Sequence, residues 1–241
     1  MNSTRSRIAT GMFACIALAS PSLANFEVSP FILKLRADKG QISGWFEVKP
    51  NQDKRPVAVE LSLFDRVLDI NGVEDQKSPE SKDLTIYPSE LVVYPGEQVK
   101  VQVVWAGKSL PIADRAYTVL AKEVPVDLNQ PGPKEKLDLS FKTLVRYRLV
   151  VAIETGKKGV LSVVSSKKID SARTEIIVEN KGAGRIPMDG FHLLIAGKKY
   201  DDFPGLGNAI MPGDKRRFVL PLATPPVAAD IRFGASDGPL K

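Results

Sequence analysis

The chain has 241 residues, 43% of them hydrophobic and 26% charged, with one cysteine and one histidine. That content can build a sizeable core, while the lone Cys15 and lone His192 exclude a disulfide-stapled module and a Cys/His metal centre. The net charge of +6 is modest, and its 28 acidic residues are dispersed among the basic ones, so no basic stripe with interleaved aromatics is offered to a nucleic acid.

At the N-terminus Arg5 and Arg7 precede the apolar run IATGMFACIALA, which ends near SLAN. A basic start, an apolar stretch and a small-x-small site spell a secretory signal with cleavage after Ala24. A membrane anchor is the other reading, but the run is shorter than the ~20 apolar residues that a span needs, and no later segment is long and apolar enough to insert. Cleavage leaves 217 residues, a net charge of +4 and no cysteine. The exported chain is then expected to hold together by core burial alone, which suits a bacterial periplasm better than a eukaryotic extracellular space. The residual positive charge serves solubility, with the steering of an acidic protein partner as its other use.

From there on, strand signals dominate. GWFEVKP, PVAVELSLFD, QVKVQVVWAG, AYTVLAKEVPV and LDLSFKTLVRYRLVVAI are rich in β-branched and aromatic residues with period-two alternation, and turn residues separate them. The segment IETGKKGVL, with Gly156 and Gly159, breaks this series and marks a boundary between residues 154 and 159. A shorter series follows: VLSVVSS, RTEIIVENKG, FHLLIAGKKY, KRRFVLPLA and ADIRFGA. The two series echo each other, since LVVYPGEQVKVQVVW parallels NAIMPGDKRRFVLPL around a Pro-Gly turn, and FEVKPNQDKRPVAVEL parallels IIVENKGAGRIPMDGFHL. The expected fold is all-β, with two tandem immunoglobulin-like β-sandwich domains spanning residues 25–154 and 155–241 after a signal at 1–24.

Little in the chain supports catalysis. His192 lies on a strand in GFHLLIAG with no cysteine and no nucleophile motif to serve, and reads as a structural histidine. Gly205 and Gly207 do not complete a dinucleotide fingerprint, Asp201 and Asp202 read as a turn, and no calcium-loop pattern occurs. The expectation is a non-enzyme without cofactor or metal.

One stretch asks for more than a core. In KEKLDLSFKTLVRYRLVV, Leu137, Leu139 and Phe141 alternate with Asp138, Ser140 and Lys142, and Thr143 holds the same phase. On a strand these side chains share one face, which either fills its own sandwich or waits for a partner. The choice turns on context. The opening VSPFILKL, the pair GWFEVKPNQDKRPVAVEL, the segment IYPSELVVYPGEQVKVQVVWAG and above all ADRAYTVLAKEVPVD follow one another in an order that resembles the periplasmic pilus-assembly chaperones of the chaperone–usher pathway.

That resemblance implies a boomerang of two immunoglobulin-like domains that captures unfinished pilin or fimbrial subunits and passes them to an outer-membrane usher. The chaperone lends the subunit a missing strand, pairing backbones along an edge while alternate side chains enter the subunit's core. Leu137, Leu139, Phe141 and Thr143 are the residues on which that role would fall. A basic residue on the same strand, with one from the first strand, would bind the subunit's terminal carboxylate and fix the register. Ungapped counting points to Arg146, with Arg148 as the alternative. At the first strand this sequence departs from the family, because Ile32 in SPFILK stands where an arginine is expected; Lys34 is the substitute two residues on, and Arg36 is more remote. Self-capping by dimerisation would shield the exposed apolar strand in the free protein. The rival reading is an exported immunoglobulin-like structural or adhesive module whose apolar triplet faces inward.

Overall fold

The computed structural model describes residues 25–51, 56–125, 144–203, 209–235 and 238–240. Nine strands make the first half: β1 Phe26–Ser29, β2 Ile32–Arg36, β3 Ser43–Pro50, β4 Val57–Asp65, β5 Leu84–Tyr87, β6 Glu90–Val93, β7 Val99–Trp105, β8 Arg115–Val124 and β9 Arg146–Glu154. They form a four-stranded sheet in the order β1-β3-β7-β5 and a five-stranded sheet in the order β2-β9-β8-β4-β6. Alternation builds the space between them. Phe46 and Val48 of β3 and Val101 and Val103 of β7 are buried, while Trp45, Lys49 and Lys100 point to solvent. Each such large apolar side chain removed from water contributes roughly 1.5–3 kcal/mol before ordering costs.

The first strand is split between the sheets. β1 pairs antiparallel with β3, and after Pro30 the chain crosses so that β2 pairs parallel with β9. This segment therefore ties both layers together, with Phe26, Val28 and Leu35 in the common core.

The second half contains β10 Leu161–Lys168, β11 Thr174–Asn180, β12 Ile186–Pro187, β13 His192–Ile195, β14 Lys198–Tyr200, β15 Ala209–Ile210, β16 Lys215–Leu220, β17 Ile231–Ala235 and β18 Gly238–Leu240. Its sheets run β10-β11-β16 and β14-β13-β17-β18, with β12 and β15 as a two-stranded ribbon. A separate core forms here, centred on Phe191 stacked on Phe218 at 5.3 Å, with Phe203 edge-on to Phe218 at 4.8 Å. The only helical turns among the described residues are 3-10 turns at Ala37–Lys39 and Ala228–Asp230.

The internal echo has a structural basis. In the first half, β6 pairs with the start of β4 and then enters a Pro-Gly turn, where Gly96 takes φ 79° and Glu97 N–H donates to the Tyr94 carbonyl at 3.0 Å. In the second, β15 pairs with β12 and enters the same turn, where Gly213 takes φ 83° and Asp214 N–H donates to the Met211 carbonyl at 3.0 Å. Both turns need the positive φ that glycine supplies without strain. The unit is thus repeated as strand, Pro-Gly turn, strand in each core.

The two halves meet around Asp114, which is buried. Its carboxylate accepts from Thr155 N–H and Oγ1 at 2.7 Å each and from Arg185 N–H at 2.9 Å, while Arg185 Nη2 reaches Glu154 Oε1 at 2.7 Å. The chain at 157–158 packs backbone to backbone on Gly184, where a Cβ would run into the Lys157 carbonyl. His192 is anchored locally, with Nδ1 3.0 Å from the Gly190 carbonyl oxygen and its ring in the space that a Cβ on Gly234 would occupy. Asp201 pairs with Lys199 at 2.9 Å, at the end of β14.

Candidate functional site

The stretch singled out by the sequence runs into β9. Leu137, Leu139, Phe141 and Thr143 lie outside the described residues. The strand that follows keeps a period of two: Tyr147, Leu149, Val151 and Ile153 turn to the core, and Arg146 and Arg148 are exposed on the opposite face.

β9 is not flanked equally along its length. β8 pairs with it from Arg146 to Ile153, whereas β2 pairs with it only from Val150 to Glu154. Val150 N–H donates to the Phe31 carbonyl at 2.9 Å, so the backbone of even-numbered residues points to the β2 side. The N–H and C=O groups of Arg146 and Arg148 share that phase, and among the described strands none pairs with them there. An edge with free donors and acceptors is a template for a further strand. Beside it stands an apolar lip: Phe31 is 49% and Ile32 46% exposed. Tyr147 braces that lip, its ring 5.6 Å from Phe31 and 5.0 Å from Phe26, and its hydroxyl donating to the Phe26 carbonyl at 3.0 Å.

The two arginines differ in what they hold. Arg148 Nη1 donates to Glu74 Oε1 at 2.7 Å, and the same oxygen accepts from Thr118 Oγ1 at 2.6 Å. Arg66 Nε lies 3.4 Å from the other carboxylate oxygen of Glu74. Arg146 makes no ion pair among the described residues. Directly across from it on β8 sits Lys122, which reaches Glu60 of β4 at 3.4 Å, and Glu60 in turn faces Glu90 of β6. The outer face of this sheet thus carries a row of two cations followed by two anions, with the cations at the open end. Like charges facing each other across strands are unfavourable by some tenths of a kcal/mol unless an anion lies between them.

The first-strand candidates fall elsewhere. The parallel register sets Lys34 opposite Ala152 and Ile32 opposite Val150. Lys34 is therefore six residues further along β9 than Arg146, about 20 Å at ~3.3 Å per residue. Arg36 is engaged with Asp38 at 2.9 Å and Glu154 at 3.5 Å, and the hydrogen bond to Asp38 raises its pKa. The structure therefore joins Arg146 with Lys122 and Arg148 with Glu74, and it brings Lys34 to neither arginine. Lys122 and Glu74 escaped the sequence reading because their roles depend on cross-strand register and on a loop docking far from its own position.

No protein-family model matches the sequence, and a search of curated proteins found no match. Solved structures do match. The class 5 fimbriae chaperone CfaA aligns over 88% of this chain and 92% of its own, with a TM-score of 0.60 and 13% identity. A chain of the CsuC–CsuE chaperone–tip adhesion subunit complex from the archaic chaperone–usher Csu pili of Acinetobacter baumannii aligns over 89% of this chain and 94% of its own, with a TM-score of 0.59 and 14% identity. A chain of the SafA pilin–SafB chaperone complex of Salmonella enterica covers 92% and 97%, with a TM-score of 0.51 and 14% identity. The shared property is the fold, and the shared length takes in both halves. The chain has the two-domain β-sandwich fold of the chaperone–usher pilus chaperones.

Proposed function

We propose that this protein is a non-catalytic periplasmic chaperone that captures pilus or fimbrial subunits along β9 and delivers them to an outer-membrane usher. The observation that carries the reading is the edge of β9 at Arg146–Leu149, unpaired on one side among the described strands and set within a fold that matches fimbrial chaperones along nearly its whole length. An incomplete sandwich needs a strand, and this edge has backbone groups to pair with one. Leu137, Leu139, Phe141 and Thr143 precede the edge in the phase of Tyr147 and Leu149, and in this reading they enter the subunit's open core. Three large apolar residues at about 1.5–3 kcal/mol each outweigh several backbone hydrogen bonds at roughly 0.5–1.5 kcal/mol net, so the apolar face drives capture.

The register pin falls to Arg146 rather than Arg148, because Arg148 already holds Glu74. Lys122, which faces Arg146 across the strands, would supply the second cation in place of a first-strand arginine by exchanging Glu60 for the subunit's carboxylate. A guanidinium and an ammonium on adjacent strands suit a terminal carboxylate. In this account residues 25–154 bind the subunit, residues 155–241 form the second domain, and the signal at 1–24 carries the chain to the periplasm. A self-capping dimer along the same edge would protect the free protein.

The test is co-expression in a bacterial periplasm with a fimbrial subunit that lacks its last strand. The chaperone reading predicts co-purification of a stable one-to-one complex. Failure to retain any such subunit, with the protein itself exported and folded, contradicts it and favours the structural or adhesive module.

A further inference from the structure

Residues 67–75, between β4 and β5, form a small hairpin of their own. Asp69 N–H donates to the Val73 carbonyl at 2.8 Å, Asp75 N–H to the Val67 carbonyl at 2.9 Å, and Gly72 N–H closes the tip on the Asp69 carbonyl at 2.9 Å. The Asp69 carboxylate caps the tip by accepting from Asn71 N–H and Val73 N–H at 2.8 Å each. The hairpin touches two places. Near its base, Glu74 enters the cradle of Thr118, Arg148 and Arg66 on the outer face of the five-stranded sheet. At its tip, the Asp69 carbonyl accepts from Arg216 Nη1 at 2.8 Å and the Ile70 carbonyl accepts from Arg217 N–H at 2.8 Å, both on β16 of the second core.

The cradle is built for a carboxylate. Thr118 is 1% exposed and aims its hydroxyl at Glu74, and the guanidinium of Arg148 supplies a charge-assisted bond to the same oxygen. The far contact is equally committed, since Arg216 is wholly buried and also donates to the Ala209 carbonyl at 3.1 Å. One short hairpin thus has a charged foot on the first core and backbone acceptors on the second.

We propose that Thr118, Arg148 and Arg66 form a carboxylate receptor whose tethered occupant is Glu74, and that its occupancy holds the hairpin against β16. Glu74 is a positioning residue. Losing it loosens the contact between the halves without disturbing either core, and the emptied cradle accepts a free carboxylate. The inference concerns the protein without any subunit, so it stands or falls separately from the chaperone reading.

Two variants and two readouts test it on the full mature chain. Hydrogen exchange at the Arg217 amide reports the docked tip directly, because that N–H bonds to Ile70. In Glu74→Ala, and to a smaller extent in Glu74→Gln, this amide is expected to exchange at least about tenfold faster, the loss of a charge-assisted bond. Amides of Val101 and Ile176, in the two cores, keep their wild-type rates and show that the fold survives. Sodium acetate is the probe for the cradle: it should shift the Arg148 side-chain NMR signal in Glu74→Ala and leave it unmoved in the wild type. Unchanged exchange at Arg217 in both variants overturns the proposal, and so does an Arg148 signal in Glu74→Ala that ignores acetate.

Discussion

The two halves of β9 differ in their neighbours, and the difference separates a closed backbone from an open one. Val150–Glu154 lies between β2 and β8, and Val151, Ala152 and Ile153 are buried there. Among the described strands Arg146–Leu149 has β8 alone, and its even positions carry exposed arginines. A strand covered on both sides satisfies its backbone and spends its side chains on the core. Where the same strand outruns one neighbour, backbone donors remain available and charge can be placed next to them. In the proposed reading, the subunit-binding edge of this protein lies where pairing stops, on a strand whose remainder is ordinary core.

Substitutions that strike each side of this divide should have different signatures. The largest effect is expected upstream of the open half: replacing Leu139 and Phe141 together by asparagine should abolish subunit capture, at about 1.5–3 kcal/mol per lost apolar contact, while urea unfolding of the free protein stays within about 0.5 kcal/mol of wild type. A large loss of stability in that double variant would instead mean that these side chains fill their own sandwich. In the covered half, Ile153→Ala should do the reverse. It empties a fully buried site and is expected to cost about 2–5 kcal/mol in urea unfolding, with capture falling only as far as the folded fraction falls.

The cations offer a finer comparison. Arg146→Ala should weaken capture about tenfold, the value of a hydrogen bond to a charged group, with Lys122→Ala close behind and Lys108→Ala, on an exposed loop, without effect. Equal losses at all three sites, read by competition binding, would remove the clamp. The smallest effect lies far from this face. Hydrogen bonds from the Ala172 backbone and the Arg173 side chain hold the Asp170 carboxyl below its ordinary pKa of 3.8. A depressed carboxyl adds stability that is complete above the unfolded pKa and is lost as pH falls through the folded one. Asp170→Ala should therefore lower Tm slightly at pH 7, and the difference should vanish in acid below that range. Subunit capture should be indifferent to it.

Much of this was legible in the amino-acid order. Period-two runs such as SGWFEVKP and VKVQVVW announce strands because one face of each must be apolar, and the Pro-Gly pairs at Pro95 and Pro212 mark turns because only glycine takes the required φ cheaply. The alternation from Tyr147 to Ile153 likewise follows from the sequence alone. What could not be read is whatever depends on register between distant segments. Lys122 and Arg146 are 24 positions apart and meet only because β8 and β9 pair as they do. Lys34 is the first-strand substitute two residues past Ile32, and only the parallel pairing of β2 shows that it lies against Ala152 and so six positions along β9 from Arg146. Glu74 is one carboxylate among 28 acidic residues, and its role appears only once its hairpin is docked. The switch of the first strand from one sheet to the other at Pro30 is equally silent, because both of its pieces alternate in the same way.

The most direct test of the open edge is hydrogen exchange along β9 before and after a fimbrial subunit is bound. The Val150 amide, already bonded to Phe31, should be protected in both states, whereas the Arg148 amide should exchange freely in the lone protein and slow by about a hundredfold or more in the complex. A complex that forms while the Arg148 amide keeps its free-state rate would contradict strand addition at this edge.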